Sequence, residues 1–121
     1  MDLTIQDSSL RDGNHAVQHQ LTLEDIKKYC LLADKAGIPV IEVGHGNGLG
    51  ASSLQVGISL EEESAQLEIA RESLDNSRLA VHMIPGFTTI TRNLKRAIDI
   101  GIDLARVGCH CTEADTTKRY I

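Results

Sequence analysis

The chain alternates four times between a short apolar run and a segment with helical spacing of its apolar residues. Each run has the length and the aliphatic or β-branched content of a strand. The runs cover residues 3–5, 40–43, 79–84 and 103–107. Each connection is long enough to cross over a sheet, so the alternation predicts an α/β fold with parallel strands.

Capping signals mark where the helices begin and end. Thr22, with Asp25 three residues later, forms a capping box, in which side chains satisfy the first free N–H groups of a helix. Gly37 then predicts the end of that helix, and Pro39 prevents its continuation. Two further capping boxes, Ser59 with Glu62 and Thr112 with Asp115, predict helices over 59–76 and from residue 112 onward. Another helix is predicted over 89–101, with Gly101 at its end.

Size and charge restrict the classes of protein to consider. A chain of 121 residues with 2% aromatic residues predicts one domain, residues 1–121, with an aliphatic core. The net charge of -5 argues against nucleic acid and against an anionic membrane surface as partners. No signal peptide and no apolar segment long enough to cross a bilayer are visible in the sequence, which predicts a cytoplasmic protein.

Polar residues lie at or just beyond the ends of the apolar runs. They are Arg11, Asp12, His15, Glu42, His45, His82 and His110. A TIM barrel places such residues at the carboxyl ends of its strands, whereas a doubly wound sheet usually carries a G-x-G-x-x-G helix start, which this chain lacks. We therefore predict a TIM (β/α)8 barrel. Because eight units need about 250 residues, residues 1–121 would form its first four βα units, a half-barrel.

The segment after the first run contains the strongest candidates for a functional site. Asp12 can ligate a divalent cation, Arg11 can donate two parallel hydrogen bonds to a carboxylate or enolate, and His15 can transfer a proton near neutral pH. Gly13 allows a tight turn between them. The alternative interpretation is an ordinary polar turn at the surface.

Glu42 interrupts an otherwise apolar run. A carboxylate buried without a partner is costly, so Glu42 is expected to face a cation or a polar barrel interior. The following segment, 44–50, has four glycines in seven residues. Such a segment either approaches a ligand closely or is a flexible connection.

Cys109 and Cys111 flank His110, a spacing that suggests zinc. Structural zinc sites use four ligands, usually in spaced pairs, and the sequence offers no second cluster. We therefore predict that both cysteines are small apolar packing residues.

Several stretches together resemble the 4-hydroxy-2-oxovalerate aldolases. This family belongs to a wider metal-dependent group that includes isopropylmalate synthase, homocitrate synthase and hydroxymethylglutaryl-CoA lyase. The resemblance rests on residues 10–15, 41–50 with 52–53, 85–86 and 110–115. His15 favours the aldolase branch, since the synthases and lyases typically carry glutamine there. The resemblance implies a metal-dependent class II aldolase that splits a 4-hydroxy-2-oxo acid into pyruvate and an aldehyde.

The resemblance also implies a role for each candidate residue. Asp12 would be one ligand of a divalent metal, Mn²⁺ or else Mg²⁺. Arg11 would bind substrate and stabilise the enolate, and His15 would accept the proton of the 4-hydroxyl group. His82 and Ile84 would line the aldehyde end of the substrate pocket.

Other family features have no counterpart in this sequence. Family members take further metal ligands from a His-x-His pair on a later strand and a tyrosine from a following helical domain, a role that Tyr120 does not match. A half-barrel is therefore expected to be a fragment or to self-associate. The family also associates with an acylating acetaldehyde dehydrogenase. Two alternatives stay open: an inactive fragment that acts as an assembly or regulatory subunit, and an acyl-CoA-condensing enzyme of the same group.

Overall fold

The computed structural model describes residues 2–121, which form one parallel four-stranded sheet with helices between the strands. The strands are β1 (Gln6–Asp7), β2 (Val40–Glu42), β3 (Arg78–Met83) and β4 (Leu104–Val107). They lie in the order β1-β2-β3-β4, and every neighbouring pair is parallel. This confirms the predicted α/β fold of a partial TIM barrel.

Three α-helices follow the strands. They are α1 (Leu23–Lys35), α2 (Glu63–Ser73) and α3 (Lys95–Ile100). A π-helical turn, Ile90–Leu94, leads into α3, and two 3₁₀ segments cover Asp12–His15 and Cys111–Tyr120. The longest helix has 13 residues, and none within residues 2–121 is long and apolar enough to cross a membrane.

The core lies between the sheet and the helices. Successive side chains on a strand point to opposite faces, and on β2 this puts Ile41 into the aliphatic cluster shared with α1 and α2. On β3, Leu79 and Val81 join the same cluster. The alternate residues, Glu42 and His82, face the other way. The second face of the sheet therefore carries polar residues although it is buried.

Two of the predicted helix boundaries are confirmed. Thr22 Oγ1 accepts a hydrogen bond of 3.1 Å from the Asp25 N–H, and the Asp25 carboxylate accepts one of 3.0 Å from the Thr22 N–H. Gly101 ends α3 in the left-handed conformation, with φ of 106°. Both signals are local, so they act without support from distant residues.

The two other predicted capping boxes are wrong. Helix α2 begins at Glu63 after a cap residue whose side chain makes no capping hydrogen bond, and the Ser59 N–H donates to Ser52 Oγ instead. The segment from Cys111 is a 3₁₀ helix with a kink at Glu113 and no buried residue. Without an apolar face to pack, its hydroxyl groups bond back to carbonyls within the same turn.

The first strand and the two exposed cysteines also differ from prediction. Leu3 and Ile5 are 78% and 58% exposed, and β1 consists of the next two residues, which pair with β2. The apolar run before β1 has no strand beside it among the described residues, so it lacks the ladder that would make it a strand. Cys109 and Cys111 are exposed and free rather than packed, because they follow β4 beyond the core.

Candidate functional site

Glu42 is the centre of a buried ionic network on the polar face of the sheet. Its fully buried carboxylate accepts a bond of 2.6 Å from Arg11 Nε and bonds of 3.0 Å and 2.9 Å from Arg106 Nε and Nη2. The Gln6 amide donates a further hydrogen bond. Burial raises the pKa of Glu42, but the two arginines outweigh it and hold that pKa below its usual value. Glu42 is thus ionised and paired, as its position in the strand predicted.

Arg11 is held in one orientation by three acceptors. Besides Glu42, its Nη1 donates to Asp12 Oδ1 at 2.9 Å and to the Gly46 carbonyl at 3.1 Å. The turn after β1 is closed by the N–H groups of residues 11–13, which donate to the Ser8 carbonyl. These bonds fix the guanidinium, which is 12% exposed. Its positive charge therefore lies at the carboxyl edge of the sheet.

The His15 ring packs against the glycine-rich segment 44–50. A Cβ placed on Gly46 would lie 2.4 Å from two atoms of the His15 ring, so the ring sits directly against that backbone. Gly46 therefore contacts both Arg11 and His15. The structure brings the guanidinium, the Asp12 carboxylate and the imidazole to one edge of the sheet, next to one another along the segment after β1.

The segment 44–50 is a packed part of this edge rather than a flexible connection. The Asn14 amide donates to the Gly44 carbonyl at 2.9 Å, and the Leu49 N–H donates to the His82 carbonyl at 2.9 Å. Five of its seven residues are buried with Leu49 and His45 among them, and only Asn47 and Gly50 are more accessible. Segment 44–50 therefore provides a well-packed surface on one side of the site.

Two further histidines lie beside His15: His45, which the sequence placed at a strand end, and His19, which sequence reasoning missed. The rings of His19 and His45 are stacked, with centroids 3.7 Å apart and planes 4° apart. The His15 ring meets His19 edge to face, at 5.1 Å and 79°. Arg106, the second cation on Glu42, was also missed. A charge in the apolar run 103–107 was the available signal for Arg106, whereas nothing in the sequence pointed to His19.

His82 and Ile84 lie at the end of β3 and line a cavity of about 590 Å³. Arg106 and Arg119 line the same cavity. His82 is 8% exposed and its Nδ1 lies 3.1 Å from the Arg106 carbonyl. Burial, followed by the nearby charges of Arg106 and Arg11, lowers the pKa of His82, so its ring is neutral at physiological pH. An apolar side chain, a neutral imidazole and cationic groups therefore line the same cavity.

Asp12 fits one position of a metal site and no more. Its side chain is 66% exposed and offers hard oxygen, the ligand type that Mn²⁺ and Mg²⁺ prefer. Within the described residues, no group of three histidine, cysteine or carboxylate side chains is arranged to hold a metal ion. The stacked histidines are parallel to each other and do not converge on a common point. Residues 2–121 thus supply Asp12 as a candidate ligand but no complete ligand set.

Substitution of Gly48 by alanine is expected to destabilise the fold by roughly 2–4 kcal/mol. The residue has φ of 89°, and an added Cβ would lie 2.4 Å from the His82 carbonyl oxygen, a backbone atom that cannot rotate away. Urea denaturation followed by circular dichroism measures the loss. Gly13→Ala is the matched control, because no atom lies within 4 Å of its added Cβ. Equal effects of the two changes would contradict this explanation.

Acidification from pH 7.5 to pH 5.5 is expected to lower the melting temperature. Burial is the main cause that lowers the pKa of His19, His45 and His82 from the ordinary value of 6.5. The unfolded chain therefore binds more protons than the folded chain in this range, and stability present above about pH 6.5 is lost as pH falls towards the folded pKa values. Differential scanning calorimetry tests this, and a melting temperature that rises on acidification would contradict it.

The sheet order, the one-sided helix layer and the charged carboxyl edge define a partial barrel of the kind that carries enzyme active sites. The HMGL-like family model matches residues 2–120. The chain therefore belongs to the HMGL-like family.

Curated relatives share more than half of its residues. A protein named 4-hydroxy-2-oxovalerate aldolase from Spirochaeta aurantia is 56% identical over 119 residues, which cover 98% of this chain and 35% of the relative. A protein of the same name from Pectobacterium atrosepticum is 57% identical over 115 residues, covering 95% of this chain and 34% of the relative. These matches confirm the resemblance to that family. The chain spans about a third of the length of these relatives.

A solved structure shows the same fold at low identity. An N-terminal domain from Bacteroides vulgatus superposes with a TM-score of 0.76 at 19% identity, over 95% of this chain and 38% of the other. At that identity the likeness concerns the fold alone. It supports the description of the sheet and its helices as part of a larger barrel.

Proposed function

We propose that this chain forms part of an aldolase that cleaves 4-hydroxy-2-oxo acids, such as 4-hydroxy-2-oxovalerate, to pyruvate and an aldehyde. One observation carries the proposal: the guanidinium of Arg11, fixed by the buried Glu42, lies beside the Asp12 carboxylate and shares the Gly46 contact with His15. The names of the relatives supply the substrate class, and the geometry is suited to the chemistry that such a substrate requires.

His15 is the proposed proton acceptor. It removes the proton from the 4-hydroxyl oxygen, the electron pair of that O–H bond forms the aldehyde carbonyl, and the bond between C3 and C4 breaks. The electrons of that bond move into an enolate on C2 and C3, and a proton delivered to C3 then gives pyruvate. An imidazole suits both steps because it exchanges protons near neutral pH.

Arg11 is the proposed stabiliser of the enolate oxygen. Negative charge develops on the 2-oxo oxygen when the carbon bond breaks, and a preorganised cation lowers the energy of that state. Within residues 2–121, Arg11 Nη2 makes no hydrogen bond, while Nε and Nη1 are occupied. Glu42 thus holds one side of the guanidinium and leaves an N–H pair available for the substrate.

Asp12 is proposed as one ligand of a divalent ion, Mn²⁺ or else Mg²⁺. When bound, such an ion supplies a Lewis acid to the 2-oxo and carboxylate oxygens of the substrate. Since the described residues hold no complete ligand set, the proposal requires further ligands from other parts of a functional assembly. Asp12 itself is exposed and adjacent to Arg11, as a ligand close to the enolate stabiliser must be.

His82 and Ile84 are proposed to contact the aldehyde end of the substrate. Both line the cavity of about 590 Å³, and Ile84 provides an apolar surface for an alkyl group. Neutral His82 donates its Nδ1–H to the Arg106 carbonyl, so its Nε2 can accept a hydrogen bond from the substrate without attracting the carboxylate end. The cavity continues to Arg106, the second cation on Glu42, so it reaches the same ionic network as Arg11.

The proposal extends to partners and to location. Each outer strand, β1 and β4, pairs with one neighbour only within the described sheet, so both have backbone groups available for further strands or for a second copy of the chain. Association with an acylating acetaldehyde dehydrogenase is proposed on the resemblance alone. We place the reaction in the cytoplasm, where pyruvate enters further metabolism.

A chimaera tests the proposed function. Residues 2–120 replace the aligned segment of the Spirochaeta aurantia relative, and pyruvate release from 4-hydroxy-2-oxovalerate is coupled to lactate dehydrogenase with and without Mn²⁺. We expect Mn²⁺-dependent turnover that Asp12→Asn abolishes. A chimaera that folds but releases no pyruvate overturns the proposal.

A non-catalytic role of the chain by itself is the second candidate, favoured by the incomplete metal-ligand set of the described residues. In that case the chain serves as an assembly or regulatory subunit. Calorimetric titration of the 121-residue chain with Mn²⁺ is expected to show binding only at millimolar strength or weaker in both cases, because one carboxylate is an incomplete ligand set. Pyruvate release by the chimaera separates the two cases, because a subunit without a catalytic role gives a folded chimaera that releases none. The acyl-CoA-condensing alternative predicts consumption of an acyl-CoA by the chimaera, and release of free thiol measures it.

A further inference from the structure

We propose that His19, stacked on His45, is a positioning residue that fixes the orientation of the His15 ring. The inference rests on the proposed function in one respect: His15 is taken as the proton acceptor. His19 is not proposed to touch the reacting atoms. It acts through the edge of its ring, which packs against the His15 ring.

The backbone holds His19 in an uncommon conformation. Gln18 and His19 have φ of 54° and 59°, in the left-handed region that non-glycine residues seldom adopt. The His19 N–H donates to the Asn14 carbonyl at 2.8 Å, and the His19 carbonyl accepts from the Leu60 N–H at 2.9 Å. Such conformations cost about 1–3 kcal/mol each and persist where the surroundings enforce them. The result is a ring that is 94% buried, with 6% exposed.

His45 anchors the other side of the stack. The Asn47 N–H donates to His45 Nδ1 at 3.0 Å, so the proton lies on Nε2, which is 3.0 Å from the Gly57 carbonyl and donates to it. Both nitrogens of His45 are therefore committed. Gly57 also contacts His19, because a Cβ there would lie 2.7 Å from His19 Nδ1. The two parallel rings cannot slide or rotate without breaking these contacts.

His15 depends on this stack because packing alone orients it. Within residues 2–121 its ring makes no hydrogen bond, and its neighbours are the Gly46 backbone and the edge-to-face contact with His19. Its ring is also perpendicular to that of His45, at 6.4 Å and 82°. A proton acceptor must keep its nitrogen within hydrogen-bond reach of the substrate hydroxyl. The stack restricts the ring to such an orientation.

An unpartnered atom shows that no hydrogen bond from Nε2 fixes the His19 ring among the described residues. His19 Nε2 is buried and has no hydrogen-bond partner among the described residues. A buried polar atom without a partner costs about 1–3 kcal/mol, so an apolar side chain of the same shape would stabilise the fold more. The centroid of His15 lies 5.1 Å from that of His19 and 6.4 Å from that of the stacked His45, so His15 packs beside the edge of the His19 ring. Phenylalanine should therefore replace His19 without loss of positioning, whereas leucine should not.

The test compares His19→Phe with His19→Leu in the chimaera. We expect His19→Leu to lower kcat by roughly 10- to 100-fold with little change in KM, because the proton acceptor is misplaced while binding groups are not. His19→Phe is expected to keep kcat within about threefold of the parent, since it keeps an aromatic ring edge at this position. A folded His19→Leu variant with full kcat overturns the proposal, and so does a loss in His19→Phe equal to that in His19→Leu.

Gln20→Ala controls for general loosening of the segment. It removes two side-chain hydrogen bonds, of 3.1 Å and 3.2 Å, from the same segment without touching a ring. We expect it to lower the melting temperature slightly and to leave kcat unchanged. A fall in kcat equal to that of His19→Leu would assign the effect to loosening and overturn the proposal.

A readout without turnover separates this inference from the proposed function. Nuclear Overhauser effects between the ring protons of His15 and residue 19 report the edge-to-face contact directly in the chimaera. We expect them in the parent and in His19→Phe, together with slower His15 side-chain motion than in His19→Leu. If the parent lacks turnover but shows these contacts, only the proposed function fails. If turnover is present and the contacts are absent, only the positioning role fails.

Discussion

Replacement of His15 by alanine is expected to lower kcat of the chimaera for pyruvate release by roughly 10²- to 10⁴-fold, the usual contribution of a positioned proton acceptor. His15 is exposed and its ring makes no hydrogen bond within the described residues, so the fold should not depend on it. The KM should change little, because Arg11 and the cavity keep the binding groups. Steady-state kinetics with lactate dehydrogenase coupling measure both constants.

Two comparisons make the His15 result interpretable. Lys28→Ala removes an exposed side chain whose only ion pair within residues 2–121 is with Glu24 at 3.6 Å, and kcat should not change. The melting temperature of His15→Ala should match that of the parent, which shows that lost turnover is chemical. Undiminished turnover in a folded His15→Ala variant would assign proton transfer to another group.

Substitution of Glu42 by glutamine is expected to destabilise the chain by about 3 kcal/mol, near the lower end of the range for breaking a buried ion pair. Glu42 is fully buried, and its two oxygens accept bonds from Arg11 and Arg106. The amide keeps the shape, but its NH₂ group then faces a donor and the charge is lost. Arg106 is 41% exposed and regains water, which keeps the loss from being larger.

Glu24→Gln is the matched control for Glu42→Gln. Glu24 lies on the exposed face of α1 and pairs only with Lys28, so its loss should cost less than about 0.5 kcal/mol. Urea denaturation of both variants measures the difference. Activity gives a second readout, because Arg11 loses its anchor in Glu42→Gln and kcat should fall. Equal stability of the two variants would show that the network is not a determinant of the fold.

The local signals of the sequence predicted the elements better than their ends. The alternation of apolar runs and helical segments predicted the four strands and their parallel order, because a crossover helix leaves few other topologies. The predicted start of α2 was wrong because Ser59, which has the sequence pattern of a helix cap, donates its N–H to Ser52 Oγ. That contact joins residues seven apart in an irregular segment, and no local rule predicts it.

Some residues of the candidate site could also be predicted from the sequence, whereas others could not. Glu42 could be predicted to have a partner, because a carboxylate in a buried strand requires one. The identity of Arg106 as that partner depends on the register of β3 with β4, which places the guanidinium across the sheet. His19 could not be predicted, since its position depends on left-handed residues and on contacts with Gly57. Sequence patterns thus predicted which residues carry charge, and tertiary contacts decided which of them meet.

The order of the strands has a consequence for biosynthesis. Each strand pairs with the one that precedes it in the chain, so a unit leaving the ribosome finds its neighbour already made. Such pairings close short loops, which favours rapid assembly during translation. A nascent chain of this kind can fold stepwise, because each new strand pairs with the exposed edge of the strand made just before it.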